Sequence, residues 1–135
     1  MFKKVIILTL VLFSPACSLM SREAPTEDVD KAAVLFFERV KSAQYDKIYN
    51  DSAKSFQERN AKAEVLDNLK KMADLGKSDT PIRANMYFGK EEEKRTATPT
   101  YAVRFDQTRA SVILKFIDES GEWKLAGFEV RQKGS

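Results

Sequence analysis

The spacing of apolar residues changes once along this chain, near Gly76, and that change constrains the fold more than any other feature. Before it, apolar positions recur every three or four residues; after it, they recur every second residue. The first period is that of a helix face and the second that of a half-buried strand. A chain that places its helices first and its strands last does not build alternating βαβ units. It packs helices against one face of an antiparallel sheet, an α+β arrangement.

Three helices are predicted in the first part. In "PTEDVDKAAVLFFERVKSAQ", Val29, Ala33, Phe36, Phe37 and Val40 share a face. Thr26 is the predicted N-cap, and Glu27, Asp28 and Asp30 suit the positive end of the helix dipole. "YDKIYNDSAKSFQE" reads as one short second helix with Tyr45, Ile48, Tyr49 and Phe56 on its apolar side. "NAKAEVLDNLKKMADLG" reads as the third, with Asn60 as cap, Val65, Leu66, Leu69, Met72 and Ala73 as the stripe, and Gly76 at the stop.

About four strands follow. Ile82, Ala84, Met86 and Phe88 alternate in "PIRANMYFGK", and Tyr101, Val103 and Phe105 alternate in "TYAVRF". Val112, Leu114 and Phe116 form one face of "ASVILKFI", with Ile113 and Ile117 on the other. In "EWKLAGFEVR" the alternation slips at Gly127, which predicts a bulge or bend. "DQTR" and "DESGE" are short enough to close hairpins. Pro99 suits a strand start or an edge, because proline cannot donate to a ladder.

Two stretches carry a family resemblance. "AAVLFFERVKSAQYDKIYNDSAKSFQE" resembles the opening helix pair of the nuclear transport factor 2-like superfamily, with its "small-x-Tyr-Asp" break. "YAVRFDQTRASVILKFIDESGEWKLAGFEVRQ" resembles that superfamily's closing hairpins and their "Gly-x-Trp-Lys" turn. The resemblance implies three helices on a curved antiparallel sheet, in one domain over residues 27–133, with a cone-shaped pocket between the layers. It implies no particular function, since this superfamily hosts enzymes, binders and assembly domains.

The N-terminus speaks to location. Lys3 and Lys4 precede Val5–Phe13, a run that is apolar except for Thr9 and is interrupted by Ser14 and Pro15. A spanning helix needs about 20 apolar residues, so this run fits the short hydrophobic region of a signal peptide, residues 1–16. "SPAC" resembles the lipobox of bacterial lipoproteins. In that family the cysteine, here Cys17, is acylated and becomes the new N-terminus. The family's usual leucine three residues before the cysteine is replaced by Ser14, while Ala16 fits. Ordinary secretion with cleavage near Ala16 is the alternative. Cys17 is the only cysteine, so no disulfide can form within the chain. Residues 17–26 then form a short linker to the membrane. Ser18 stands where an inner-membrane lipoprotein of proteobacterial type has aspartate, so the resemblance implies an outer-membrane anchor facing the periplasm.

Composition narrows the chemistry. Loss of Lys3 and Lys4 with the signal brings the 23 basic and 20 acidic side chains close to balance, which disfavours electrostatic capture of nucleic acid. There is no histidine, so the usual general base near neutral pH is missing. No zinc spacing, nucleophile–histidine pair or phosphate loop occurs, and no metal or cofactor is expected. Asp46 and Asp106 are the carboxylates that could act as bases, set against ordinary roles as helix cap and turn residue. "KEEEKR", Lys90 to Arg95, reads as a solvated edge or loop. Tyr45, Tyr49 and Tyr101 are the candidate pocket residues. Ile113 and Ile117 are the candidate interface, for a weak homodimer or an envelope protein partner. The expected function is a non-catalytic binding or assembly module anchored through acyl chains. A small enzyme or carrier of an apolar ligand, and an inhibitor or immunity-type protein, are the alternatives.

Overall fold

The computed structural model describes residues 25–106 and 108–133. Among these residues, four helices precede four strands: α1 (Pro25–Lys41), α2 (Tyr45–Asn50), α3 (Lys54–Arg59), α4 (Lys62–Ala73), then β1 (Ile82–Glu91), β2 (Lys94–Arg104), β3 (Arg109–Glu119) and β4 (Glu122–Gln132). The strands pair antiparallel in the order β1-β2-β3-β4, one open sheet with two edges.

The helix stripes are buried where the spacing places them: Val29, Ala33, Phe36 and Val40 on α1, and Val65, Leu69 and Met72 on α4. They meet Ala97, Pro99, Tyr101 and Val103 of β2 and Val112, Leu114 and Phe116 of β3 in one core. Aromatic rings link α1 to the sheet. Phe36 lies 5.5 Å from Phe37 and 5.8 Å from Phe128, and Phe37 meets Tyr101 edge-on at 5.5 Å.

Several local expectations are corrected. Thr26 is not a cap, because α1 already begins at Pro25. The predicted second helix is two helices, broken at Asp51–Ala53. There the Ser52 hydroxyl donates to the Tyr49 carbonyl, and the Ala53 N–H donates to the Leu125 carbonyl of β4 at 2.8 Å. A tertiary hydrogen bond to the sheet thus replaces an intrahelical one. Asn60 closes α3 rather than opening α4. Its side-chain amide donates to the Phe56 carbonyl at 2.9 Å, and Ala61 precedes α4 without a side-chain cap.

Two corrections concern the sheet. The register of β1 shifts between Arg83 and Asn85, so Ile82 lies on the face opposite Met86 and Phe88. Pro99 stands inside β2, a central strand, and is fully buried. The β1–β2 register runs unbroken past Pro99, whereas the β2–β3 register skips Thr98 and Pro99. The missing proline donor therefore falls on the β3 side. The slip expected at Gly127 is present as a register shift opposite Lys115 and Phe116.

"KEEEKR" is a hairpin tip. Glu91 pairs with Lys94, and Glu92 and Glu93 turn the chain with φ of 48° and 72°. Two consecutive left-handed residues make the primed type of turn that suits twisted strands.

Candidate functional site

The three candidate tyrosines do not converge. Tyr45 is half-buried at the start of α2. The Tyr49 hydroxyl lies 3.1 and 3.0 Å from the carbonyl oxygens of Gln57 and Asn60, donating to one at a time. The Gln57 side-chain amide in turn donates to the carbonyls of Tyr49, Asn50 and Ser52 at 2.9, 3.2 and 3.3 Å. This pair ties the broken second helix together.

Tyr101 is buried on β2, and its hydroxyl donates to Asp30 Oδ1 of α1 at 2.7 Å. Arg83 Nε of β1 stands 3.7 Å from the same oxygen. Burial holds the Tyr101 hydroxyl far above its ordinary pKa, the hydrogen bond and charge of Asp30 push the same way, and Arg83 opposes them. A phenol held protonated is a clamp between α1 and the sheet, not a base.

The candidate carboxylates are also occupied. Asp46 is exposed and forms an ion pair with Lys62 at 3.4 Å. Asp106 accepts from the Lys77 N–H at 2.8 Å, while its own N–H donates to the Lys77 carbonyl at 3.0 Å. Gly76, at φ +106°, allows this approach, since a Cβ there would sit 2.6 Å from Asp106 Cβ. Asp106 therefore fastens the loop after α4 to the end of β2. Among the described residues, no group of three or more His, Cys, Asp or Glu could hold a metal ion. No buried side-chain polar atom there lacks a partner.

Between the layers, Phe36, Phe56, Phe105, Phe116 and Met72 fill the core. Two grooves of about 460 Å³ each open among the described residues. One runs between α4 and the second half of β4, with apolar Leu75, Phe128 and Val130 beside polar Asn68, Lys71 and Gln132 in its lining. The second lies between α1 and the β3–β4 hairpin, lined by Ala32, Leu35, Phe36, Ile48, Trp123 and Leu125. Trp123 is half-buried there, with the Arg95 guanidinium 5.0 Å from its ring; that guanidinium also donates to Asp118 at 2.7 Å.

The sheet face turned away from the helices is less apolar than its isoleucines suggest. Thr96, Thr98 and Thr100 run down β2 on that face. Lys115 Nζ of β3 reaches Glu91 of β1 at 3.1 Å across it. Ile117 is only 5% exposed, with Thr96 and Lys124 as its strand neighbours, so its side chain is closed to a partner. Ile113 is half-buried between Thr100 and Glu129. Cys17 and the segment before it lie outside the described residues. No described helix is long and apolar enough to cross a membrane.

Sequence reasoning missed both grooves. Phe128 and Val130 carry no mark of a groove in the sequence, because strand order, which makes β4 an edge, leaves no local signal.

These elements define an α+β domain: helices on one face of an open, four-stranded antiparallel sheet. No protein-family model matches the chain, and no curated protein matches it as a relative.

Proposed function

We propose that this chain is a lipoprotein of the bacterial cell envelope, anchored through Cys17 to the outer membrane and facing the periplasm. Its domain, of the nuclear transport factor 2-like type, serves as a non-catalytic binding or assembly module. One observation carries the functional half of this reading: the side chains suited to chemistry are engaged in holding the fold, while two grooves lined by both apolar and polar side chains stay open. The location rests on "SPAC" after a short apolar run. The groove between α4 and β4 is the receiving surface. It joins a wall of mixed character, apolar at Leu75, Phe128 and Val130 and polar at Asn68 and Gln132, to an edge strand whose outward backbone groups can pair with an extended polypeptide segment.

Two experiments test the halves separately. Cells making the wild-type chain should incorporate labelled palmitate, and Cys17→Ser should abolish it. An unlabelled wild-type chain rejects the anchor. A photo-crosslinker in place of Val130 should capture a discrete envelope protein, and Leu75→Lys across the groove, at a half-buried position, should suppress that product while the fold is kept. Capture unaffected by Leu75→Lys rejects the groove.

A further inference from the structure

The other edge of the sheet differs from β4. β4 is flanked by α3 and α4 and receives the Ala53 N–H. β1 runs ten residues with almost every position exposed or half-buried, including Ile82 at 69%, Tyr87 at 68% and Phe88 at 42%. Among the described residues, none of the backbone hydrogen bonds outside the ladders involves residues 82–91.

Pro99 fixes which backbone groups of β1 are free. It has no N–H, and the ladder gap shows that its nitrogen faces β3. Thr98 and Thr100 therefore turn their N–H and C=O toward β1, where they pair with Tyr87 and Asn85. The alternation continues along β1, so Met86, Phe88 and Lys90 turn theirs outward. Glu91, which closes the hairpin with Lys94, falls on the inward set as the turn requires. Charge and the Ala84 irregularity guard the two ends of the strand, but Asn85–Gly89 contains neither charge nor proline.

We propose that β1 pairs antiparallel with β1 of a second copy, about a two-fold axis at Tyr87, joining two four-stranded sheets into one of eight strands. A symmetric contact requires that residue i meet j and j meet i. Centred on Tyr87, Met86 of each copy faces Phe88 of the other, and these are outward-facing residues that exchange two hydrogen bonds per pair. Tyr87 meets its own copy on the opposite face, in the pair type where side chains lie closest. The Arg83 end of each strand lies beside the Glu91–Glu93 end of the other, so no like charges are opposed at either end. The exposed parts of Ile82, Tyr87 and Phe88 supply on the order of 300 Å² per copy. With the strand backbone, the total approaches about 1,000 Å², the range of a weak, specific association. A two-fold contact uses each β1 edge once and closes, so it ends at two copies.

The test places p-benzoylphenylalanine at position 87 of the full chain in the cells that make it. Irradiation should give a product of twice the chain mass whose crosslinked peptides both come from residues 82–94. The same probe at Val34, an exposed α1 position (55%), should give no such product. Phe88→Pro removes an outward N–H and an exposed ring but no ladder bond to β2, so the fold should survive while the product falls at least tenfold. If circular dichroism shows that this variant is unfolded, Phe88→Lys replaces it, with the same expectation. No doubled product at position 87, capture of other proteins only, or a product undiminished in the folded Phe88 variant would each overturn the proposal.

Discussion

Replacing Tyr101 by phenylalanine removes one oxygen and leaves the ring, so it isolates the clamp between α1 and the sheet. The ring keeps its edge-on contact with Phe37, and apolar burial is unchanged. What is lost is a 2.7 Å hydrogen bond to a carboxylate, a type that contributes about 1.5–3 kcal/mol. Asp30 is 36% exposed and keeps Arg83 nearby, which places the expected loss at the lower end, about 1.5 kcal/mol. The second readout is pH. Tyr101 has a folded-state pKa above its unfolded value of about 10. Its contribution is fully present below pH ~10 and declines as pH rises, because only the unfolded chain then releases the proton. The slope reaches about 1.4 kcal/mol per pH unit at most. Urea unfolding at pH 7, 9, 10 and 11 measures both effects. The wild-type chain should lose stability steeply above pH 10, and Tyr101→Phe should be weaker at pH 7 but flatter above 10. Parallel curves for the two chains would refute the clamp.

Three further outcomes follow from the geometry. Glu92→Asn with Glu93→Gly should raise stability by about 1 kcal/mol, since both positions hold positive φ that glutamate adopts at a cost; an unchanged or lower melting temperature contradicts the turn. Gly76→Ala should destabilise by more than about 1 kcal/mol, because it adds a Cβ against Asp106 at a positive φ, and chemical denaturation measures it. Phe116→Ala, at the centre of the core, should cost about 3–5 kcal/mol, whereas Phe88→Ala on the exposed edge should cost under about 1 kcal/mol by the same measurement.

The period change at Gly76 was enough to read the α+β class, the four strands and most of the core, because burial on one face imposes periodicity directly. Val112, Leu114 and Phe116 are buried as read, and the slip at Gly127 is present. The break in the second helix was hidden, because it depends on a hydrogen bond to Leu125, more than seventy residues away. Pro99 misled because the rule that confines proline to edges is local. Thr96, Thr98 and Thr100 alternating with Ala97 and Tyr101 carried the opposing signal of a continuous strand. For the candidate site, residue type suggested chemistry that geometry had already committed elsewhere: Tyr49, Tyr101, Asp46 and Asp106 all have structural partners.

The gap at Pro99 and the register shift at Lys115–Phe116 lie at one level of β3, so the ladders on both of its sides are interrupted together. Ladder hydrogen bonds are what make adjacent parts of a sheet open as one unit. Across this level β3 keeps its pairing with β4 through a bulge and lacks a donor from β2, so its two halves are joined by fewer ladder hydrogen bonds than elsewhere along the strand. In amide exchange the sheet should therefore behave as two blocks. The half holding the β2–β3 loop and the chain end would have one opening free energy, and the half holding the two turn hairpins another. The proline withholds a donor and not an acceptor, so the group left without a β2 partner is the Leu114 carbonyl, while the Leu114 amide, which still has the Pro99 carbonyl opposite, would stay protected like those of Val112 and Phe116.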